Sequence, residues 1–316
     1  MQETQTLPLL THFTLSIPRP FDFRLTVAKP AGWHWSTPRE IFDQNTLWTA
    51  VYSGDRPLGL RLSAQAEAVE VDVYGQDALP QDEENALKRR IRAGLGGDED
   101  LAGFYAVAHQ DPLLAETVED LHGMRLGRLD DLFGRVILAI TLQMAPLARS
   151  MAMLNAVLEH YGKTLLFDDH GVILWPLPRE LAAVDVDLLR SEANLGYRAK
   201  RLSAAARFLA EHPFYLSDLD TMSEQEALKR LEAIPGIGEY SASLILARSQ
   251  VPLDVWSVVI MSELLLGENP AQPREAIPSV TQALVQRWGE WAWMAFAYVV
   301  NDLERLAPRY GLSRIH

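Results

Sequence analysis

The chain has 316 residues, is 48% hydrophobic, and carries a formal net charge of −13 with a pI near 5.1, enough apolar material for a sizeable core and two or more lobes. It contains no cysteine, which excludes disulfides, thiolate zinc sites and an iron–sulfur cluster, and its acidic balance argues against a protein that coats nucleic acid non-specifically. No run reaches the roughly 18 apolar residues of a membrane span, and residues 1–13 lack a charged segment followed by an apolar one, so a cytoplasmic location is expected, with nucleoid association if the source is bacterial.

In chain order, residues 14–27 alternate apolar and polar around Pro18 and Pro20, and residues 69–75 put Val69, Val71 and Val73 on one face. With LWTAV and LGLRL between them, these predict four to six antiparallel strands. Residues 84–95 and 101–108 read as helices separated by Gly96-Gly97-Asp98. Nothing in this part looks catalytic.

Residues 130–162 are helical in pattern with one interruption, because Pro146 cannot donate a backbone hydrogen bond and disfavours helix before it. Residues 142–145 should form a loop that presents Gln143 and Met144 at its tip, with Arg149 just beyond. Met144 is either an exposed wedge or ordinary core. Asp168-Asp169-His170-Gly171 has adjacent carboxylates rather than spaced ones, which fits a surface turn better than a metal site. Arg198, Lys200, Arg201 and Arg207 follow with no acid between them, whereas residues 82–84 and 98–100 are acidic clusters. The charge is therefore uneven, and its basic part lies near the next motif. Residues 288–306 read as one last helix with three tryptophans in six residues, which must line a core or a pocket.

The most informative stretch is residues 231–261, LEAIPGIGEYSASLILARSQVPLDVWSVVIM. Leu228, Leu231 and Ile234 end one helix, Pro235-Gly236-Ile237-Gly238 punctuates it, and residues 240–248 read as a second helix. This is a helix-hairpin-helix at about residues 227–254. Two glycines allow a tight turn and a close backbone approach. Amides of Gly236 and Gly238 at a helix N-terminus suit an anion such as a DNA phosphate, although an ordinary helical hairpin can carry the same glycines. Downstream, Asp254 follows an apolar run and Pro252, a position compatible both with a carboxylate at the mouth of a cleft and with an N-cap for the next helix.

The joint pattern of hairpin, spacer and Asp254 resembles the helix-hairpin-helix superfamily of base-excision DNA glycosylases, in its 3-methyladenine and 8-oxoguanine branches. The resemblance covers about residues 121–303. It implies an α+β fold, with an N-terminal lobe over residues 1–115 carrying a TATA-binding-protein-like antiparallel sheet, and a helical region over 116–316 built of two interleaved subdomains. It implies Asp254 as the catalytic carboxylate. The hairpin residues Gly236 and Gly238, together with Gln143, Met144, Arg149, Tyr197, Arg198 and Lys200, would contact the duplex, Met144 filling the gap left by an extruded nucleotide. The segment LGYRA at residues 195–199 is similar to one in 8-oxoguanine glycosylases, where the tyrosine stacks into the duplex and the arginine contacts the orphaned base.

The resemblance also assigns a base pocket of Tyr240, Leu244, Trp291, Ala295 and Val299. Tyr240 stands where the 8-oxoguanine branch has its Schiff-base lysine, Leu244 where it has a cysteine, and Ala295 and Val299 where it has a glutamine and a phenylalanine, the last two across a one-residue gap. A phenol cannot form an imine, so a monofunctional enzyme is expected. Its apolar, aromatic pocket would favour cationic alkylated purines, with an 8-oxoguanine or broad-range glycosylase and a non-catalytic damaged-DNA-binding protein as the alternatives. Double-stranded DNA with a damaged base is the expected partner and a monomer the expected state. No organic cofactor is required, though hairpin carbonyls could hold a monovalent cation.

Overall fold

A computed structural model describes residues 4–65, 68–247 and 251–313. They divide into two compact units, one of residues 1–18, 34–97 and 127–246, the other of 19–33, 98–126 and 247–316. The α+β class is as expected. The division does not follow a single cut near residue 115: residues 19–33 and 98–115 pack in the second unit, and 127–246 share the first unit with the sheet. Among the described residues no helix is long and apolar enough to cross a membrane.

The strands of the first unit are β1 (Thr4–Thr6), β2 (Leu9–Leu15), β3 (Ile41–Asp43), β4 (Thr46–Ser53), β5 (Arg56–Ala64), β6 (Val69–Tyr74), β7 (Lys163–Phe167) and β8 (His170–Leu174). Five of them form an antiparallel sheet in the order β2-β6-β5-β4-β3, and β1-β7-β8 form a second, with β1 parallel to β7. The two-residue period fixes the register. Leu60 and Leu62 of β5 lie opposite Val73 and Val71 of β6, all four fully buried, while Glu70 and Asp72 take the intervening positions. Gly59 leaves room for Phe167, whose ring atoms would lie 2.6 Å from a Cβ there.

Residues 14–27 are not one strand. β2 ends at Leu15, and Phe23–Val27 is a short helix of the second unit. Pro18 and Pro20 remove the ladder donors a strand would need, and Asp22 caps the helix by accepting from Leu25 N at 2.8 Å.

The helical part of the first unit is built on helices Leu132–Leu142, Leu147–Tyr161, Arg198–Glu211, Glu224–Glu232 and Glu239–Leu246. Their apolar faces meet in a core that includes Val136, Ile137, Ile140, Leu154, Leu158, Leu202, Leu231 and Ile245. The helices expected at residues 84–95 and 101–108 form as Gln81–Gly94 and Leu101–Ala108, and Asp168 and Asp169, both at positive φ, make the turn between β7 and β8, while His170 and Gly171 already belong to β8.

The second unit packs Leu101–Ala108, Leu114–Asp120, Ser257–Leu266, Pro273–Trp288 and Ala292–Asn301 around Phe104, Leu114, Val259, Leu284 and Tyr298. Residues 288–306 are broken rather than continuous. Gly289, at φ +55, ends one helix, a 3-10 turn spans Gly289–Trp291, and a new helix starts at Leu303. The tryptophans are tied down separately. Trp288 is buried and donates to Asp111 Oδ2 at 2.9 Å, Trp291 lies 6.0 Å from Phe104, and Trp293 stacks on Trp33 at 6.5 Å.

Candidate nucleic-acid interface and carboxylate site

The hairpin forms as the pattern predicts. Glu224–Glu232 is capped reciprocally by Ser223 and Glu226, the turn follows at Ile234–Gly238, and Glu239–Leu246 is the second helix. Residues 248–250, including the expected helix end at Arg248, lie outside the described residues. Gly236 sits at φ +85, where a side chain is strained, and a Cβ there would stand 2.9 Å from Arg201 Cβ. Gly238 has open space around it. Both glycines are exposed, so the N-terminal end of the second helix faces solvent with its amide donors and positive dipole end.

The loop after helix Leu132–Leu142 is anchored to this turn. Gln143 Nε2 donates to Gly236 O at 2.8 Å and to Ser241 Oγ at 3.3 Å, and Gln143 Oε1 accepts from Arg201 at 2.5 Å. The Gln143 carbonyl accepts from both Arg198 Nε, at 3.0 Å, and a terminal guanidinium nitrogen of Arg198. Met144 follows at φ +51 with 75% of its surface exposed. Tyr197 is half-exposed beside the loop, with the guanidiniums of Arg198 and Arg201 at 4.6 and 4.9 Å from its ring centre.

Several candidates differ from expectation. Arg198 is only 4% exposed, and its guanidinium is spent on the Gln143 carbonyl, so it braces the loop instead of reaching out to an unpaired strand. Gln143 is likewise engaged with protein on both ends of its amide. Its contact with Gly236 O also occupies one of the hairpin carbonyls considered for a monovalent cation. Arg149 and Lys200 are exposed, and Lys200 lines a surface groove with Arg190, Arg207 and Pro235. Sequence reasoning missed Arg201 as a bridge and Ser241 as a buried acceptor. Arg201 was visible only as one more basic residue.

At the start of the hairpin's exit, helix Glu239–Leu246 is held by Arg135, which donates to Ile245 O at 2.7 Å while its Nε donates to Asp130 Oδ1 at 2.9 Å. Arg128 pairs with the other oxygen of Asp130. Burial opposes ionisation of Asp130, but these two guanidiniums hold its carboxyl below the usual carboxylate range.

In the second unit, Asp254 is half-buried in the turn that leads into helix Ser257–Leu266, two residues before its N-cap Trp256. Its Oδ1 accepts from Trp256 N at 3.0 Å, Ser257 N at 2.7 Å and Ser257 Oγ at 2.7 Å, and its own N–H donates to Ser257 Oγ at 2.9 Å. Among the described residues the hydrogen bonds to this carboxyl group reach Oδ1. The buried hydroxyl of Ser257 is a partner that sequence reasoning did not identify.

The pocket candidates divide by environment. Tyr240 is 38% exposed and Leu244 half-buried on the second hairpin helix. Ala295 and Val299 are fully buried in the core of the second unit, and Trp291 is half-buried against it, so Ala295 and Val299 serve as core packing. Among the described residues no group of three or more His, Asp or Glu side chains could hold a metal ion.

No protein-family model matches the chain. A DNA-3-methyladenine glycosylase of Bacillus subtilis (strain 168) is 24% identical over 215 residues, 64% of this chain and 67% of that protein. Among solved structures, a 3-methyladenine DNA-glycosylase from Archaeoglobus fulgidus superposes with a TM-score of 0.74 at 18% identity, covering 93% of this chain and 98% of that one. The 8-oxoguanine glycosylase/lyase of Clostridium acetobutylicum, in complex with double-stranded DNA containing cytosine opposite 8-oxoguanine, superposes at 0.67 with 17% identity, covering 90% and 92%.

Proposed function

We propose that the chain is a member of the helix-hairpin-helix DNA glycosylase superfamily, a reading supported by its likeness to the glycosylases above, and that it hydrolyses the N-glycosidic bond of alkylated bases of the 3-methyladenine type. The observation that carries the reading is Asp254, held by Ser257 and the helix amides through Oδ1. Departure of the base develops positive charge on the sugar. A fixed anion beside C1′ stabilises that transition state more than the ground state, and Oδ2 would orient or deprotonate the attacking water. A capped carboxylate needs little reorganisation as the charge appears.

Exposed hairpin amides support phosphate binding without sequence readout, and exposed Met144 supports a wedge between bases. Tyr240, lacking an amine, supports hydrolysis without a Schiff base, so that the product is a free base and an abasic site. The 8-oxoguanine reading retains support from residues 195–199 and 251–255.

The test uses duplexes with single lesions (alkylated purine, hypoxanthine, 1,N6-ethenoadenine, uracil, 8-oxoguanine), split with and without alkali, alongside Asp254→Asn. Strand breaks are expected only after alkali and mainly for alkylated purines, with the variant slowed about 10²-fold or more. Breaks without alkali would refute the monofunctional reading. Equal activity in the variant would remove Asp254 from the chemistry, and absence of release from every lesion would leave a binding role.

A further inference from the structure

We propose that Gln143 is a positioning residue that couples the hairpin to the Met144 loop, so that seating the hairpin on DNA and presenting the wedge are one event. The inference rests on the glycosylase reading for what the wedge does, and on geometry within the first unit for how it is held.

The peptide bond whose carbonyl belongs to Gln143 is the one that precedes Met144, and its orientation therefore sets the φ of Met144. That carbonyl is fixed by two guanidinium nitrogens of buried Arg198, with the Tyr197 hydroxyl at 3.4 Å. The left-handed φ of +51 at Met144 is a conformation that a non-glycine residue keeps only when its surroundings hold it there, and the Arg198 bonds do so. The side-chain amide of the same residue runs the other way, donating to Gly236 O in the phosphate-facing turn and to buried Ser241 on the second hairpin helix. Arg201 closes the circuit. It donates to Gln143 Oε1, and the root of its side chain lies where only the missing Cβ of Gly236 leaves space. One residue thus holds three chain segments together, and its amide has a protein partner for both oxygen and nitrogen. An asparagine-like contact to DNA by this side chain would require breaking that set. A carboxylate at 143 would keep the Arg201 contact but lose the donation to Gly236 O and Ser241.

The experiment measures duplex affinity, fluorescence of 2-aminopurine beside the lesion as a report of flipping, and the single-turnover excision rate. It compares the native protein with Gln143→Ala, Gln143→Glu, Met144→Ala and the double variant Gln143→Ala/Met144→Ala. Both Gln143 variants are expected to bind the duplex within about 3-fold of the native protein, while the flipping signal and excision rate fall about 10-fold, because Gln143→Glu loses the donations to Gly236 O and Ser241 and Gln143→Ala loses the Arg201 contact as well. The double variant is expected to be no slower than Met144→Ala alone, because Gln143 acts through Met144. Losses that multiply in the double variant, or a fall in affinity that accounts for the whole rate defect, would overturn the coupling and make Gln143 an independent DNA contact. Unchanged flipping in both Gln143 variants would overturn it outright. A native protein that binds but never flips would instead refute the glycosylase reading, and a cooperative, native-like unfolding transition in Gln143→Glu separates coupling from general loss of structure.

Discussion

Glu40 offers a test of the first unit that needs no DNA. Its carboxyl group lies inside the loop that precedes β3, where Oε1 accepts from Trp35 N at 2.5 Å and Oε2 from Ser36 N at 3.0 Å, Thr37 N at 3.4 Å and Thr49 Oγ1 at 3.2 Å. Burial pushes its pKa up to about 7, against the opposing pull of those donors. The folded protein therefore holds this proton more tightly than the unfolded chain, whose carboxyl titrates near the ordinary 4.5. Between these values the native state binds more protons, so stability is greatest below about pH 4.5 as far as this group is concerned, and declines as pH rises to about 7. A difference of about 2.5 pH units corresponds to roughly 3 kcal/mol. Glu40→Gln mimics the protonated form and should flatten that slope. Urea denaturation at pH 5.0, 6.0, 7.0 and 8.0 in native protein and variant reads it directly, as the difference between the two pH profiles. Parallel profiles would refute the reasoning, because they would mean that the four donors, and not burial, set the proton affinity of this carboxyl group.

Gly236→Ala should cost about 1–2 kcal/mol in urea denaturation and weaken duplex binding, since the new methyl group meets both a left-handed backbone and the stiff root of Arg201; Gly238→Ala, with open space and no positive φ, is the control and should stay within about 0.5 kcal/mol. Arg135→Met should destabilise the protein by about 3 kcal/mol, because it leaves buried Asp130 with one guanidinium and Ile245 O without its donor. Adding Asp130→Asn should restore part of that loss, and a strictly additive double variant would refute the account.

What was legible in the sequence followed periodicity. Val69, Val71 and Val73 declare their buried face by alternation alone, and the hairpin declares itself because its glycines interrupt two apolar stripes. The errors lie where pattern and hydrogen-bond supply part company. Residues 14–27 alternate convincingly, yet two prolines deny them a ladder, and residues 288–306 keep helical spacing across Gly289 although its φ of +55 breaks the axis. Arg198 looked like part of a basic stretch reaching for DNA. Nothing in a linear string says that its partner is a backbone carbonyl 55 residues earlier. Ser257, three residues after Asp254, was within reach of sequence reasoning as a reciprocal cap.

The weaving of the chain through two units bears on how the protein is made. The first unit has all its segments once residue 246 has been synthesised, whereas residues 19–33 and 98–126 need partners from 247–316. During elongation those early segments carry apolar side chains such as Trp33, Phe104 and Val118 with their final neighbours still untranslated. Long-range closures of this kind slow folding and leave sticky surface exposed meanwhile. Asp254 acquires its cap in that last segment, so the catalytic candidate is among the final parts of the molecule to become competent, after the hairpin has had its opportunity to fold.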